Sequence, residues 1–559
     1  MKRDVTALTG REYDLVIIGG GIFGVCAAWD GALRGLSVAI IEKNDFCGAT
    51  SANHFKMVHG GIRYLQHADI LRIRESSRER SALLRIAPHL VKPLPIVIPT
   101  YGYGFKGKAF LAAGLLAYDM LTMDRNEKIH PEQKIPKGRF LSKDTLLNLF
   151  PGVKENNLTG GVVFWDAQVY NPPRLGLSFL RAAVDKGAVA ANYIKAEAFT
   201  ENKKRARITG VKAKDLLTGD SFEIRGKVVL NASGPWAHRL LSSSLGMKVK
   251  PRPVFSRDLA FVVKRPNAHG KALACTTKTQ DADTILDRGG RHLFSVPWRT
   301  YTLVGVWHKV FEDVPENIAV SRRELEGFVK EVNEAYSGLS LSVEDISMIN
   351  MGLTLFGDQK RQGSGNMSFG KRSILIDHYK EDGVCGLITL IGVRATTARG
   401  KAEKAIDLVF KKIGKKPVPC TTAYKPIYGG TIDSVNKLLE YVKKNELSGC
   451  DDHTAEALVR NYGEKYHEVL RYTERNPSMS ENIGDSTVIK SEILHAVREE
   501  MAQKLTDVVL RRTDLGTAGH PGQEALNVCG EIMADEKGWD SQTLTSEIEG
   551  VNSVYPLLK

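Results

Sequence analysis

The sequence lacks most features that would place it in a special class. Its seven cysteines (Cys26, Cys47, Cys275, Cys385, Cys420, Cys450 and Cys529) are odd in number, scattered, and form no CxxC pair. That excludes a disulfide framework and a zinc site, and it suits reduced thiols in the cytoplasm. No metal site is expected. No apolar run is long enough to cross a bilayer, and residues 1–11 carry no apolar signal core. Internal repeats and low-complexity tracts are also missing, which removes the fibrous and disordered classes.

What remains is an ordinary globular composition, 42% hydrophobic and 25% charged over 559 residues. A chain this long exceeds one hydrophobic core, so two or three domains are expected. The formal net charge of +14 favours anionic partners, and a solvated basic surface is the plain alternative. Nucleic acid is not expected as a partner, because the basic residues are dispersed and no reading motif is present.

Residues 13–65 organise the chain. Asp14-Leu15-Val16-Ile17-Ile18 is a short run of β-formers, as a buried parallel strand requires. Gly19, Gly21 and Gly24 follow at once. Gly19 permits a tight turn, Gly21 lets backbone approach a pyrophosphate, and Gly24 lets the next helix sit close to the strand. That helix is expected over 22–34, with an anion site at its N-terminal N–H groups. A second apolar strand, 37–41, ends in Glu42, about twenty residues past the glycines, where a carboxylate accepts hydrogen bonds from a ribose diol. The order strand, glycines, helix, strand, acid predicts a site for the ADP half of a dinucleotide.

Gly48-Ala49-Thr50-Ser51, followed by His59-Gly60-Gly61-Ile62-Arg63-Tyr64-Leu65, resembles the loop and helix of FAD-dependent glycerol-3-phosphate dehydrogenases. These enzymes belong to the D-amino-acid-oxidase-like flavoproteins. Two distant segments carry the same likeness. An apolar strand runs into Asn231-Ala232-Ser233-Gly234-Pro235-Trp236, and Gly392-Val393-Arg394-Ala395-Thr396-Thr397-Ala398-Arg399 stands where the family has Gly-Gly-Lys-x-Thr-Thr-Tyr-Arg. The resemblance implies FAD as cofactor. It implies contacts from Gly19, Gly21, Ile22, Phe23, Gly24, Glu42, Lys43, Thr50, Ser51, Ser233, Gly234, Trp236, Gly392, Ala395, Thr396 and Thr397. It also implies that the helix start after Gly392 faces the flavin, where a positive dipole end stabilises the charge of the reduced ring.

The implied fold class is α/β. A Rossmann-like FAD-binding domain is expected from 1–75, 151–250 and 345–425, an antiparallel-sheet substrate domain from 76–150 and 251–344, and a C-terminal α-helical domain over 426–559. Hydrophobic periodicity adds detail. Residues 69–86 read as an exposed amphipathic helix, 321–336 as a helix with a Ser321/Glu324 capping box, and 491–512 as one long helix. An apolar helix over 109–121, flanked by Lys106, Lys108, Arg125 and Lys128, suits either the core or a lipid headgroup layer.

Oxidising an alcohol or amine carbon by flavin requires hydride delivery, removal of a heteroatom proton, and an anchor for the substrate. Arg63 and Tyr64 are the expected anchors, and Arg394 is a third cation where the family has lysine. His59 and His54 are the candidates for proton transfer. Either also suits a structural hydrogen bond or a covalent flavin link. The pocket departs from the family pattern. Ser-Gly-Val-Arg-Pro-Leu, whose arginine holds phosphate, is here Met351-Gly352-Leu353-Thr354-Leu355, and Gly-Thr-Thr-Asp is Gly305-Val306-Trp307-His308. Arg257, Arg299, Lys360, Arg361 or Arg372 would have to replace the lost contact.

Three readings follow. The first is a dehydrogenase that oxidises the secondary alcohol of glycerol 3-phosphate, or a similar anionic alcohol, and passes electrons to quinone. It would rest on the inner face of a membrane, on the cytoplasmic side, and a homodimer is left open. The second keeps the flavin but changes the substrate to an amine, amino acid or sugar derivative, with oxygen as a further acceptor. The third is an inactive flavin-binding interaction protein.

Overall fold

The structure is a computed structural model that describes residues 1–102, 107–249, 253–267, 269–280, 290–356, 373–446 and 451–555. Two sheets organise it. In the first, β1 (Glu12–Ile18) is buried beyond its first residue and pairs in parallel with β2 (Val38–Ile41) and β10 (Ser221–Asn231). β7 (Val189–Ala191) continues the sheet beyond β2, and β17 (Leu387–Ile391) beyond β10. β16 (Ile374–Asp377) closes that edge antiparallel to β17. β8 (Ile194–Asn202) and β9 (Arg207–Asp215) extend antiparallel from β10. The order β16-β17-β10-β1-β2-β7 runs from β1 to β7 on one side and from β10 to β16 on the other. It reverses between β1 and β10, the switch point where open α/β sheets bind ligands.

Helices α1 (Ile22–Leu33), α4 (Pro172–Val184) and α6 (Ala398–Ile413) cover one face of this sheet. Their apolar stripes bury Val25, Ala28, Phe179, Leu180, Ala402 and Val409 against Leu15, Ile17 and Ile388. Each fully buried large side chain contributes roughly 1.5–3 kcal/mol, so the strand ends that carry the site are held on a rigid base.

The second sheet has the order β15 (Ile346–Phe356), β11 (Val254–Val263), β14 (Tyr301–Phe311), β13 (Gly290–Trp298), β12 (Ala272–Gln280), β4 (Val91–Tyr101), β6 (Leu158–Val169) and β3 (Met57–Val58), with β5 (Arg139–Leu141) beside β6. It is mixed, because β4 and β12 pair in parallel. Helix α5 (Arg322–Ala335) starts with the expected Ser321/Glu324 capping box and packs Leu325, Phe328 and Val332 on one face. The sheets do not follow the expected domain limits. β3, β6 and β15 pair in the second sheet, although they fall within the segments assigned by pattern to the dinucleotide part. An apolar strand carries no mark of which sheet it joins.

Two helices differ from expectation. α2 (Ile70–Ile86) is largely buried, with Ser76, Glu79 and Arg80 among its covered residues. Its charges are met by Arg399 and Asp166 from other elements, so a polar face lies inside. The single helix expected over 491–512 is broken. α7 (Lys490–Glu499) ends before Glu500, Met501 takes a left-handed φ of 57°, and helix resumes at Leu505–Asp507, running into a π-helical turn at Val508–Arg512. α3 (Lys108–Leu121) exposes Leu116 and Met120, and Ile70, Leu71 and Met123 nearby are also exposed. Among the described residues no helix is long and apolar enough to cross a membrane.

Candidate active site

Three segments meet at the C-terminal ends of β1, β10 and β17. Gly19 has φ +104°, and a Cβ there would lie 2.7 Å from the Ala232 carbonyl oxygen. A Cβ on Gly24 would overlap the Gly19 carbonyl. These two glycines therefore let α1 and the segment after β10 close on the β1 turn. Gly21 caps α1 with its backbone, and the Ile22 N–H donates to Ser51 Oγ at 2.9 Å. Thr50 Oγ1 accepts from the Leu353 N–H (3.1 Å) and donates to the Leu353 carbonyl (3.2 Å), which fixes this loop on β15. Glu42 accepts the N–H groups of Gly20 (2.7 Å) and Asn44 (2.9 Å). Its withdrawal from water pushes its carboxyl above the usual range. Glu42 thus also shapes the glycine turn. At the opposite rim Ser233 Oγ donates to Asn231 Oδ1 (2.6 Å). The Phe23 ring fills the space above Gly392, and Ala395–Thr397 form a 3-10 turn leading into α6.

The proton-transfer candidates separate. His59 Nδ1 pairs with Asp166 Oδ2 at 3.1 Å, and Asp166 Oδ1 accepts the Gly60 N–H (2.6 Å) and Arg80 Nη1 (2.9 Å). A buried carboxylate thus orients an imidazole that is 47% exposed, the base-and-orienter geometry of acid–base catalysis. His54 Nδ1 instead accepts the Lys56 N–H at 3.0 Å, and desolvation pushes its pKa down to about 3. That geometry is a loop-shaping one. The Tyr64 ring lies between the guanidinium groups of Arg72 (5.3 Å) and Arg394 (5.1 Å), and Arg394 donates to Ser76 Oγ (2.8 Å). The Arg63 side chain lies outside the described residues.

A family model described as FAD dependent oxidoreductase matches residues 14–361, and one for the C-terminal domain of alpha-glycerophosphate oxidase matches 420–544. A glycerol-3-phosphate dehydrogenase of Synechocystis sp. is 30% identical over 560 residues, covering 98% of this chain and 97% of the relative. The chain belongs to the FAD-dependent glycerol-3-phosphate dehydrogenase family. The mitochondrial enzyme of Homo sapiens is 29% identical over 573 residues, covering 98% of this chain and 73% of its own. The Bacillus halodurans glycerol-3-phosphate dehydrogenase complexed with FAD superposes with a TM-score of 0.76 over 98% of this chain and 96% of that one, at 23% identity. It shares the fold. The glycine turn, the α1 N-terminus and the β1/β10 crevice fit a dinucleotide, and this chain is an FAD-dependent oxidoreductase.

Against that family background the substrate-side departures become concrete. Thr354 on β15 stands opposite Ser256 on β11. Ser256 bonds Asp258, which pairs with His308 Nδ1 at 2.7 Å. Arg257 and Arg299, two of the cations expected to stand in for that arginine, have partners of their own. Arg257 is committed to Glu324 (2.8 Å) and the Ala319 carbonyl, and Arg299 to Asp514 and Thr517. Lys360, Arg361 and Arg372 lie outside the described residues. Sequence reasoning missed Lys56 and Asp166. Lys56 is 3% exposed, donates to Asn350 Oδ1 (3.0 Å) and lies 4.5 Å from the Trp298 ring centre. A lysine inside the run Phe55-Lys56-Met57-Val58 was its signal. Asp166 ends an apolar strand run, and only the antiparallel register of β6 with β3, which sets Val58 opposite Ala167, brings it to His59.

Proposed function

We propose that this protein oxidises the secondary alcohol of glycerol 3-phosphate, or of a closely similar anionic alcohol, to the ketone. The observation that carries the reading is the Arg80–Asp166–His59 chain next to the Tyr64–Arg394 pair, in a member of this dehydrogenase family. FAD, when bound, supplies the hydride acceptor. His59 takes the hydroxyl proton as the carbon loses hydride, and Asp166 stabilises the imidazolium that results. Arg394, Tyr64 and Arg63 hold the anionic end, a role suited to guanidinium and phenol donors.

Electrons pass on to a quinone in this reading, and the exposed Ile70, Leu71, Leu116, Met120 and Met123 form a peripheral contact with the inner face of a membrane. Flotation with liposomes checks the contact: changing Leu116 and Met120 to Ser abolishes it. Anaerobic mixing of the purified flavoprotein with glycerol 3-phosphate tests the main reading, with bleaching of the visible flavin band expected. A flavin that dithionite reduces but glycerol 3-phosphate does not would refute it. A second reading, an amine or sugar derivative as substrate, is favoured by Thr354, Asp258 and His308, which put a hydroxyl, a carboxylate and an imidazole where the family pattern has a phosphate-binding arginine.

A further inference from the structure

β2 and β10 flank β1, and each delivers a side chain to the rim of the crevice over the glycine turn. Lys43 follows β2 and Trp236 lies just past β10. The Lys43 ammonium is 4.3 Å from the centre of the Trp236 ring, so the two rims meet across β1. A third element joins them from the other sheet. The turn Pro315–Asn317 lies between β14 and α5. Asp313 preorganises it by accepting the Val314 N–H (2.7 Å) and the Asn317 side-chain amide (2.9 Å). The turn projects Glu316. Its Oε1 accepts from Trp236 Nε1 at 2.8 Å and lies 3.5 Å from Lys43 Nζ, and its Oε2 accepts from Arg239 Nη1 at 2.6 Å. Among the described residues Lys43 and Arg239 have no other ion-pair partner.

These side chains are 33% (Lys43), 46% (Glu316) and 53% (Arg239) exposed. Ion pairs so exposed add little to fold stability, so folding does not account for the arrangement. Its position does. One carboxylate from the substrate-side sheet ties both rims of the switch-point crevice, and exchange of a dinucleotide through that mouth requires the contact to open. We propose that Glu316 is the clasp that holds Lys43 and Trp236 closed over the crevice and thereby sets the rate at which FAD leaves and returns. The inference rests on the FAD dependence of the family and not on the substrate reading.

The test follows flavin release from the holoenzyme by the rise in FAD fluorescence on dilution. Glu316→Gln, which keeps the shape and removes the charge, is expected to release FAD about three- to tenfold faster. Raising NaCl from about 50 mM to about 500 mM should speed release from the unaltered protein and leave Glu316→Gln almost unmoved, because screening acts on the charge the variant lacks. Trp236→Phe keeps the ring, removes the indole donor and should also release faster. It supplies the answer if Glu316→Gln does not fold. Equal release rates for the variants and the unaltered protein, or an equal salt response in Glu316→Gln, would overturn the clasp. Failure of the unaltered protein to retain any FAD would instead count against the cofactor assignment.

Discussion

Glu79 of α2 and Arg399 of α6 meet side-on. Arg399 donates from Nη2 to Oε1 at 2.6 Å and from Nε to Oε2 at 2.9 Å, and the Gly400 N–H adds a third bond to Oε2 at 3.2 Å. Both side chains are under 10% exposed. The pair locks the helix bearing Arg80 to the helix that follows the Gly392 segment, so two parts of the candidate site move as one body. Replacing Glu79 by Ala strands a buried guanidinium, and the expected loss is about 3–5 kcal/mol. Urea unfolding of the holoenzyme measures it. A change under about 1 kcal/mol would mean that Glu403, Thr422 and Cys420, the other partners of Arg399, suffice.

His59→Asn should keep FAD and the fold while lowering the rate of flavin reduction by about 100- to 10,000-fold. Asp166→Asn should act in the same direction, because the imidazolium loses its counter-charge. Stopped-flow reduction across pH 5 to about 9 reads both effects. If His59→Asn reduces normally, the proton goes elsewhere.

Much of this site was legible because its backbone chemistry is local. The glycine turn, Glu42 and the Asn-Ala-Ser-Gly segment each announce themselves in a few residues, and the capping box from Ser321 to Glu324 spans four. Long-range pairing was not legible. Asp166 reaches His59 through the β3–β6 register, and α2 is buried because Asp166 and Arg399 come to it from residues far along the chain. The break in the 491–512 helix has the same origin. Apolar periodicity continues through Leu505 and Val508, yet Glu500 is drawn out by Arg174 (2.5 Å) and Arg181 (3.2 Å).

Lys56 gives a pH prediction. Among the described residues its ammonium has no carboxylate partner, and desolvation lowers its pKa to about 7. The unfolded chain keeps the proton up to about 10.4, so the unfolded state binds more protons between these values. Stability of the flavin-free protein should therefore rise as pH goes from about 7 to about 10, the penalty being complete below that window. Lys56→Met should be more stable at pH 7 by roughly 1–4 kcal/mol, with the rise largely gone. Urea midpoints at the two ends of the window decide it.

Asp45 works in the opposite sense. Burial alone would raise its pKa, but Arg512 and Arg511, bonded at 2.6 and 2.7 Å, hold the carboxyl down at about 2. It contributes stability above about pH 4 that is lost as pH falls through about 2. Asp45→Asn should cost roughly 3–5 kcal/mol at neutral pH, by leaving Arg512 buried beside a neutral amide, and should flatten the acid limb. Thermal melts from pH 2 to about 7 would show both. An unchanged acid limb would rule out Asp45 as the titrating group.

The C-terminal segment looks like an appendage in the chain order, but its contacts make it a partner in inheritance. Asp45 needs Arg511 and Arg512, Arg174 and Arg181 need Glu500, and Asn171 Nδ2 needs Asp514 (2.8 Å). A gene shortened after residue 425 would encode a protein with two naked arginines and a buried aspartate stripped of its cations in its first half. Chimaeras that exchange the C-terminal segment with a relative should fold only when both ends of these pairs travel together. The small set Asp45, Asn171, Arg174, Arg181, Glu500, Arg511, Arg512 and Asp514 therefore marks which recombinants of this enzyme can exist as soluble protein.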